Sequence, residues 1–356
     1  MRSLRAAVIS LIFLGVQSSK ANPEMAAKIE KLWDSKVAEW REQAEKAKSH
    51  EELAALEQTR PDPAAYARRM WGSIENSLQE PWTIRPAAWF LQIAPGIKDP
   101  ETGTPLFEEQ INRIKKSLLA NHIHRPDPQL NAICMALARL GDPLSLSIIE
   151  SIESKNEDPK IQGVAALAAA MVVKNLGDDG ELMRKRLTYL KKAIINSAEV
   201  KIGETSVAEL AENELYLIRY LSKGRVAPEI TGTDSNKQPF RLSQQRGKVV
   251  ILIFWSSSIP QAAHTIEFTN EMATNFAGKP VQIVGINHDP ADKLKAMRAD
   301  GTVTWRNLSD PQNLLAKNYR VGSWPMVYVL DQKGKIRYSG GLGSFAELTA
   351  NALLEE

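Results

Sequence analysis

The chain has 356 residues, room for about two domains, and its 43% hydrophobic and 24% charged residues are ordinary globular composition. Its 45 basic and 42 acidic residues leave a net charge of +3, too balanced to argue for nucleic acid or an anionic membrane surface as a partner. A single cysteine, Cys134, excludes an intramolecular disulfide, a two-cysteine redox cycle and a cysteine-built zinc cage.

The first residues read as an address. Residues 1–5 are basic, 6–16 are apolar but short for a bilayer span, and the small residues Ser19 and Ala21 stand where signal cleavage needs them. Residues 1–21 are therefore expected to be a cleaved signal peptide. That implies a periplasmic or secreted bacterial protein with no stable membrane insertion after cleavage. An uncleaved anchor calls for a longer apolar stretch, and a lipoprotein for a cysteine near the cleavage site.

Residues 22–223 carry a helical pattern. In "MAAKIEKLWDSKVAEWREQAEKAKSHEELAALEQ" apolar residues recur three and four apart among Lys and Glu. Trp33 and Trp40, seven apart, share a face, which core packing explains better than a ligand-binding stripe. Asp-Pro pairs at 62–63, 99–100, 127–128, 142–143 and 158–159 suit helix starts, with Asp as cap and Pro in the first turn. The last three begin 15 and 16 residues apart, enough for one helix and a short turn. A stacked array of antiparallel helical hairpins is expected, TPR- or HEAT-like in period although the signature residues of neither family occur. Gly141, Gly177 and Gly224 fall where C-terminal caps are useful.

Polar candidates in this half are weak. Cys134, inside the apolar helical pattern "LNAICMALARL", reads as a small buried hydrophobe rather than a reactive thiol. His122 and His124 in "NHIHRPDP" would lie on one side of an extended segment and could hold a metal, but no third ligand is evident, so solvated loop histidines are expected. The basic run "MRKRLTYLKK" follows acidic "GDDGE" and reads as a solvated helix face. With neither a Gly-rich phosphate loop nor a His-Glu-x-x-His helix, no nucleotide cofactor and no metal are expected.

After Gly224 the grammar changes. Short β-compatible pieces flank a polar "TDSNKQ" turn, and buried-strand runs follow at 249–254 and in "KPVQIVGINHD". "VGSWPMVYVLDQKGKIRYSGG" gives two more strands joined by a tight turn, where Gly334 can take positive φ. Helical patterns fall at 261–276, 290–299, 311–318 and 345–354. Parallel strands followed by an antiparallel hairpin, flanked by helices, make an α/β sandwich.

These motifs carry a resemblance. The entry "APEITGTDSNKQPFRLSQQRGKVVILIFW", the strand "VQIVGIN", the approach "NLSDPQNLLAKNYRVGSWP" and the close "MVYVLDQKGKIRYSGG" resemble the redoxin or TlpA-like (AhpC-TSA-type) thiol-disulfide oxidoreductases over residues 225–356. The resemblance implies a thioredoxin fold, a proline at Pro325 in the cis form beside the redox motif, and a main chain before it that pairs with an extended substrate segment. It also implies a Cys-x-x-Cys pair at the start of the helix after the first buried strand. Here the matching positions are Ser258, Ile259, Pro260 and Gln261, or Ile259 and Ala262 without a gap, and neither alignment supplies sulfur. Ile253 stands where the family often has a buried acid.

Serine cannot replace cysteine in that chemistry, because a hydroxyl is a poor nucleophile at neutral pH and its oxygen cannot cycle through a disulfide. A peroxidase needs a cysteine too. A serine hydrolase built on Ser258 needs a base, and His264 has no evident path to it. Hence the expected organisation is an all-α domain at 22–223 followed by a thioredoxin-like domain at 225–356. Its expected function is redox-inactive binding or scaffolding of a protein or extended peptide segment through Trp255, Trp324 and Pro325, with Ser258 as a helix cap; that Trp324 instead plugs the vacated site is the equal alternative for that residue. Thiol-disulfide oxidoreduction, the activity the resemblance implies, is the alternative.

Overall fold

A computed structural model describes residues 23–47, 50–177 and 179–356, so the expected signal peptide lies outside the described residues. The chain divides into two compact units, the first ending at Glu209 and the second built from Leu210–Glu356 with the short segment before Glu181.

The first unit is helical: α1 (Pro23–Lys46), α2 (His50–Glu57), α3 (Pro63–Ile74), α4 (Ile84–Ile93), α5 (Glu108–Asn121), α6 (Leu130–Leu140), α7 (Pro143–Lys155), α8 (Pro159–Lys174) and α9 (Gly180–Ser197). A small hairpin, β1 (Lys201–Ile202) with β2 (Thr205–Ser206), leads into α10 (Val207–Tyr216). Asp62, Asp142 and Asp158 cap α3, α7 and α8 as expected, each accepting an amide of the first turn. The other two pairs differ. Asp99 accepts the amides of Glu101 and Thr102 inside a loop, and Asp127 accepts that of Gln129 one turn before α6. An Asp-Pro pair favours one turn only, and "ETGTP" after Asp99 has no apolar spacing to carry a helix further.

Helix α8 packs against both α6 and α7, and its run "GVAALAAAMVV" is buried except at Met171. Cys134 on α6 is wholly buried. Gly141, at φ 64°, closes α6 in the left-handed conformation. Trp33 packs against Tyr66 and Trp89 with ring centroids 5.2 and 6.1 Å away, and Trp40 donates to the Leu56 carbonyl at 2.9 Å, so both are structural. His122 departs from expectation. It is buried, shares a 2.7 Å hydrogen bond with the Leu78 carbonyl, and its pKa is pushed down chiefly by burial, while His124 stays at the surface. Among the described residues no cluster of three His, Cys, Asp or Glu could hold a metal ion.

The second unit is centred on a five-stranded sheet, flanked by the hairpin β3 (Thr231–Thr233) and β4 (Pro239–Arg241). Its strands are β5 (Val249–Trp255), β6 (Val281–Asn287), β7 (Arg306–Ser309), β8 (Met326–Leu330) and β9 (Ile336–Gly340), in the order β7-β6-β5-β8-β9. Strands β5, β6 and β7 are parallel, and β8 and β9 antiparallel to their neighbours. The helices are α11 (Ala262–Asn275), α12 (Ala291–Ala299), α13 (Leu314–Asn318) and α14 (Ser344–Glu355). The structure shows a thioredoxin-like sheet here and a helical region before it. Strand β7 was not separately expected, having only four residues.

Strand β5 explains the unbroken apolar run, because it is the central strand and is buried on both faces. Val250, Leu252 and Phe254 join one core with Tyr319 and Tyr328, while Val249, Ile251, Ile253 and Trp255 join the other with Met272 of α11 and Ala350 of α14. Tyr216, Leu217 and Leu221 pack on the first of these cores. The division between units therefore falls inside α10 rather than at the change of sequence pattern near 223–225. Nor is the stretch that follows a loose connector. Gly224 and Ala227 donate to the Ile336 and Gly334 carbonyls at 2.7 and 3.0 Å, and Arg225 accepts from Ile336 at 2.8 Å.

Candidate functional site

Strands β5, β6 and β7 end together at Trp255, Asn287 and Ser309, and antiparallel β8 begins at the same end with Met326 opposite Phe254. Four connecting segments therefore meet there. Ligands of such sheets gather at the carboxyl ends of parallel strands.

The centre of this end is a carboxylate. Asp289, buried just past β6, accepts the Ser256 hydroxyl on Oδ1 at 2.8 Å and the Ser257 amide on Oδ2 at 2.7 Å. Asn287 donates its side-chain amide to the same Oδ2 at 2.9 Å and accepts the Asp289 amide at 3.1 Å. Burial opposes ionisation of Asp289, but these donors outweigh it and hold the carboxyl below the usual carboxylate range. The first residues after β5 are thereby fixed by a charge from the neighbouring strand.

Beside them Trp324 is half-buried. Its ring stacks on that of His288 at 5.8 Å and 29°, and the Trp324–Pro325 peptide is cis. His288 is seated between Asp310 and Asn313, its Nδ1 3.4 Å from the Asp310 carbonyl and its Nε2 3.3 Å from the Asn313 side-chain amide. Asp310 caps α13, accepting the Leu314 and Ala316 amides at 2.8 and 3.0 Å. The main-chain groups of Ser323 and Trp324 make no hydrogen bond among the described residues.

Residues 223–339 match the AhpC/TSA family. The helical region before them has no family match. The AhpC/TSA-type segment is 26% identical over 115 residues to the thiol-disulfide oxidoreductase ResA of Geobacillus kaustophilus, an alignment covering 32% of this chain and 66% of that protein. It is 29% identical over 126 residues to the chloroplastic peroxiredoxin Q of Triticum aestivum, covering 33% of this chain and 58% of that one. The chain thus spans 66% and 58% of the length of these two relatives, less than two thirds of each. Among solved structures, the thioredoxin domain of a thiol-disulfide oxidoreductase from Bacteroides vulgatus is 24% identical with a TM-score of 0.34, covering 38% of this chain and 99% of that domain.

Within the AhpC/TSA-type segment the expected site residues scatter. Ser258, Ile259, Pro260 and Gln261 form the turn before α11, with Ser258, Pro260 and Gln261 exposed and no side chain capping the helix. Ser258 is not the expected cap. Its amide donates to the Ser256 hydroxyl at 3.1 Å and its own hydroxyl lies 3.4 Å from Asp289 Oδ1, because the helix starts at Ala262, too far along for Ser258 to reach its free amides. His264 lies against Phe268, ring centroids 5.9 Å apart, and is not paired with Ser258.

Trp255 also moves out of the site. It is fully buried in the core beneath α11 and α14, donates Nε1 to Asn307 Oδ1 at 2.8 Å and packs against Trp305 at 5.5 Å. As the last residue of β5 its side chain follows the alternation of the strand, on the same face as Ile251 and Ile253. Trp324 stacks on His288, which directly precedes Asp289, and Pro325 follows it across the cis peptide. Sequence reasoning missed Ser256, Asn287, His288 and Asp289. A further Asp-Pro pair, at 289–290, follows the apolar strand run "VQIVGIN" after one residue, and its position at a strand end was the available signal.

Proposed function

We propose that this chain is an exported thioredoxin-like protein that does not exchange thiols and instead binds an extended protein segment beside Trp324 and Pro325. The observation that carries the reading is the pair of unbonded main-chain residues, Ser323 and Trp324, next to a turn where Ser256–Gln261 holds no sulfur. An extended segment could add main-chain hydrogen bonds there, with the Trp324 ring supplying apolar contact. The amides of Ala263 and His264, at the first turn of α11, also lack main-chain acceptors and offer donors to a carbonyl or carboxylate. Export rests on the reading of residues 1–21, and the helical hairpins are assigned the role of scaffold.

The second reading is thiol-disulfide oxidoreduction in the cell envelope, and the family match and the named relatives favour it over the first. Against it stands the chemistry of the residues present. The one thiol, Cys134, is wholly buried and its pKa is pushed up to about 12 by burial, so it offers no thiolate and has no second thiol to resolve a mixed disulfide.

The binding reading is tested by adding an unfolded, cysteine-blocked polypeptide to the mature protein and following backbone amide resonances. Saturable shifts centred on Ser323, Trp324 and the first turn of α11, weakened about tenfold in Trp324→Ala, are expected for the loss of one well-placed aromatic contact. Shifts absent from these residues, or unchanged by the substitution, contradict it.

A further inference from the structure

We propose that the cavity bounded by the β3–β4 turn, α12 and β7 is an oxyanion site, shaped for a carboxylate or phosphate group. It is an open groove of about 510 Å³ lined by Asp234, Ser235, Asn236, Gln238, Arg298 and Arg306. It is separate from the peptide-binding surface: Arg306 opens β7, whereas Asp310, beside His288, follows that strand's other end.

Both guanidinium groups are fixed before any ligand arrives. Arg298 donates from Nη1 to the Val303 and Trp305 carbonyls at 3.0 and 2.7 Å. Arg306 donates from Nη2 to the Pro239 carbonyl at 3.0 Å and lies over the Phe240 ring at 5.0 Å. Side chains pinned by main-chain acceptors have already lost the rotamer freedom that binding would otherwise cost.

Their charges are unequally matched. Asp234 Oδ2 lies 2.9 Å from Arg306 Nε, and its Oδ1 is taken by the Asn236 and Gln238 amides. Arg298 has no ion pair among the described residues, and only its Nη1 is used in hydrogen bonds there, which leaves Nη2 unbonded. One partly buried guanidinium charge is therefore left for a ligand to neutralise, which is costly unless an anion supplies the missing acceptors. The Ser235 hydroxyl and the Asn236 side-chain amide, both without hydrogen-bond partners among the described residues, add neutral donors. Two planar guanidiniums with neutral donors between them suit the two or three oxygens of a carboxylate or phosphate.

The test is a titration of the mature protein with sodium phosphate, and separately with sodium acetate, followed by side-chain resonances of the arginines and main-chain resonances of Ser235–Gln238. Sodium chloride at equal ionic strength is the reference. Saturable shifts at Arg298 and Arg306 with phosphate, about tenfold weaker in Arg298→Gln, are expected for one lost charge-assisted hydrogen bond. Asn236→Glu, an exposed change that places a negative charge in the cavity, is expected to abolish binding without disturbing the fold, while Arg320→Gln, remote from the cavity lining, leaves it unchanged. Response to phosphate alone assigns the site to phosphate groups, and response to acetate as well extends it to carboxylates. Shifts no larger than with chloride, or equal in wild type and Asn236→Glu, overturn the proposal.

Discussion

The Asp289 carboxylate lies 2.7 Å from the Ser257 amide, so the turn that follows the central strand is held by a buried charge from the next strand. Replacing Asp289 with Ala strands the Ser257 amide, the Ser256 hydroxyl and the Asn287 side chain together. A loss of about 3 kcal/mol in urea denaturation is expected, since each buried unsatisfied group costs about 1–3 kcal/mol and the turn relaxes in part. Because the folded carboxyl is held below its ordinary range, its contribution is present above the unfolded pKa of about 3.9 and is lost as pH falls below it. Asp289→Asn should remove that part of the acid sensitivity.

Much of this was legible beforehand. The apolar run at 249–254 read as a buried strand, and β5 extends it by one residue to Trp255; Gly334 marked the turn between β8 and β9, where it takes φ 73°. What could not be read was which face Trp255 would occupy and that Asp289 would reach back to Ser257. Both depend on the register of β5 against β6, a contact between residues more than thirty positions apart that no local pattern specifies. Nor does the packing of Tyr216 and Leu221 on a sheet formed later in the chain leave any mark on their helical spacing.

Gly285 on β6 is required by its neighbours. A Cβ there would lie 1.8 Å from Asn307 Oδ1 and 2.8 Å from Trp255 Nε1. Gly285→Ala must therefore break the buried Trp255–Asn307 hydrogen bond, with an expected loss of roughly 2–4 kcal/mol and a change in the near-ultraviolet circular dichroism of the tryptophans. A variant of unchanged stability would show that this hydrogen bond is absent.

In the helical unit, Lys115 is buried and its ammonium group reaches Asp142, the cap of α7. Burial opposes ionisation of Asp142, yet Lys115 and Ser145 prevail and hold the carboxyl at about 2. The stabilisation is thus complete above the unfolded value of about 3.9 and is lost as pH falls toward 2. Lys115→Met should raise the carboxyl's titration midpoint toward its ordinary value, read by side-chain carbonyl resonances against pH.

Cys134 should be inert in the native state. With no exposure and a thiol pushed up to about 12, it is expected to leave a chromogenic aromatic disulfide reagent unreacted at neutral pH and to react in full once denatured. Prompt reaction of the native protein would mean that α6 opens readily.

The central claim, a thioredoxin-like domain without thiol exchange, is tested most directly by insulin reduction with dithiothreitol, comparing the mature protein with Cys134→Ala. Neither protein should accelerate precipitation of the insulin chains beyond dithiothreitol alone. Turnover by the wild type that disappears in Cys134→Ala would contradict the claim that this chain exchanges no thiols and would trace the exchange to Cys134 of the helical unit.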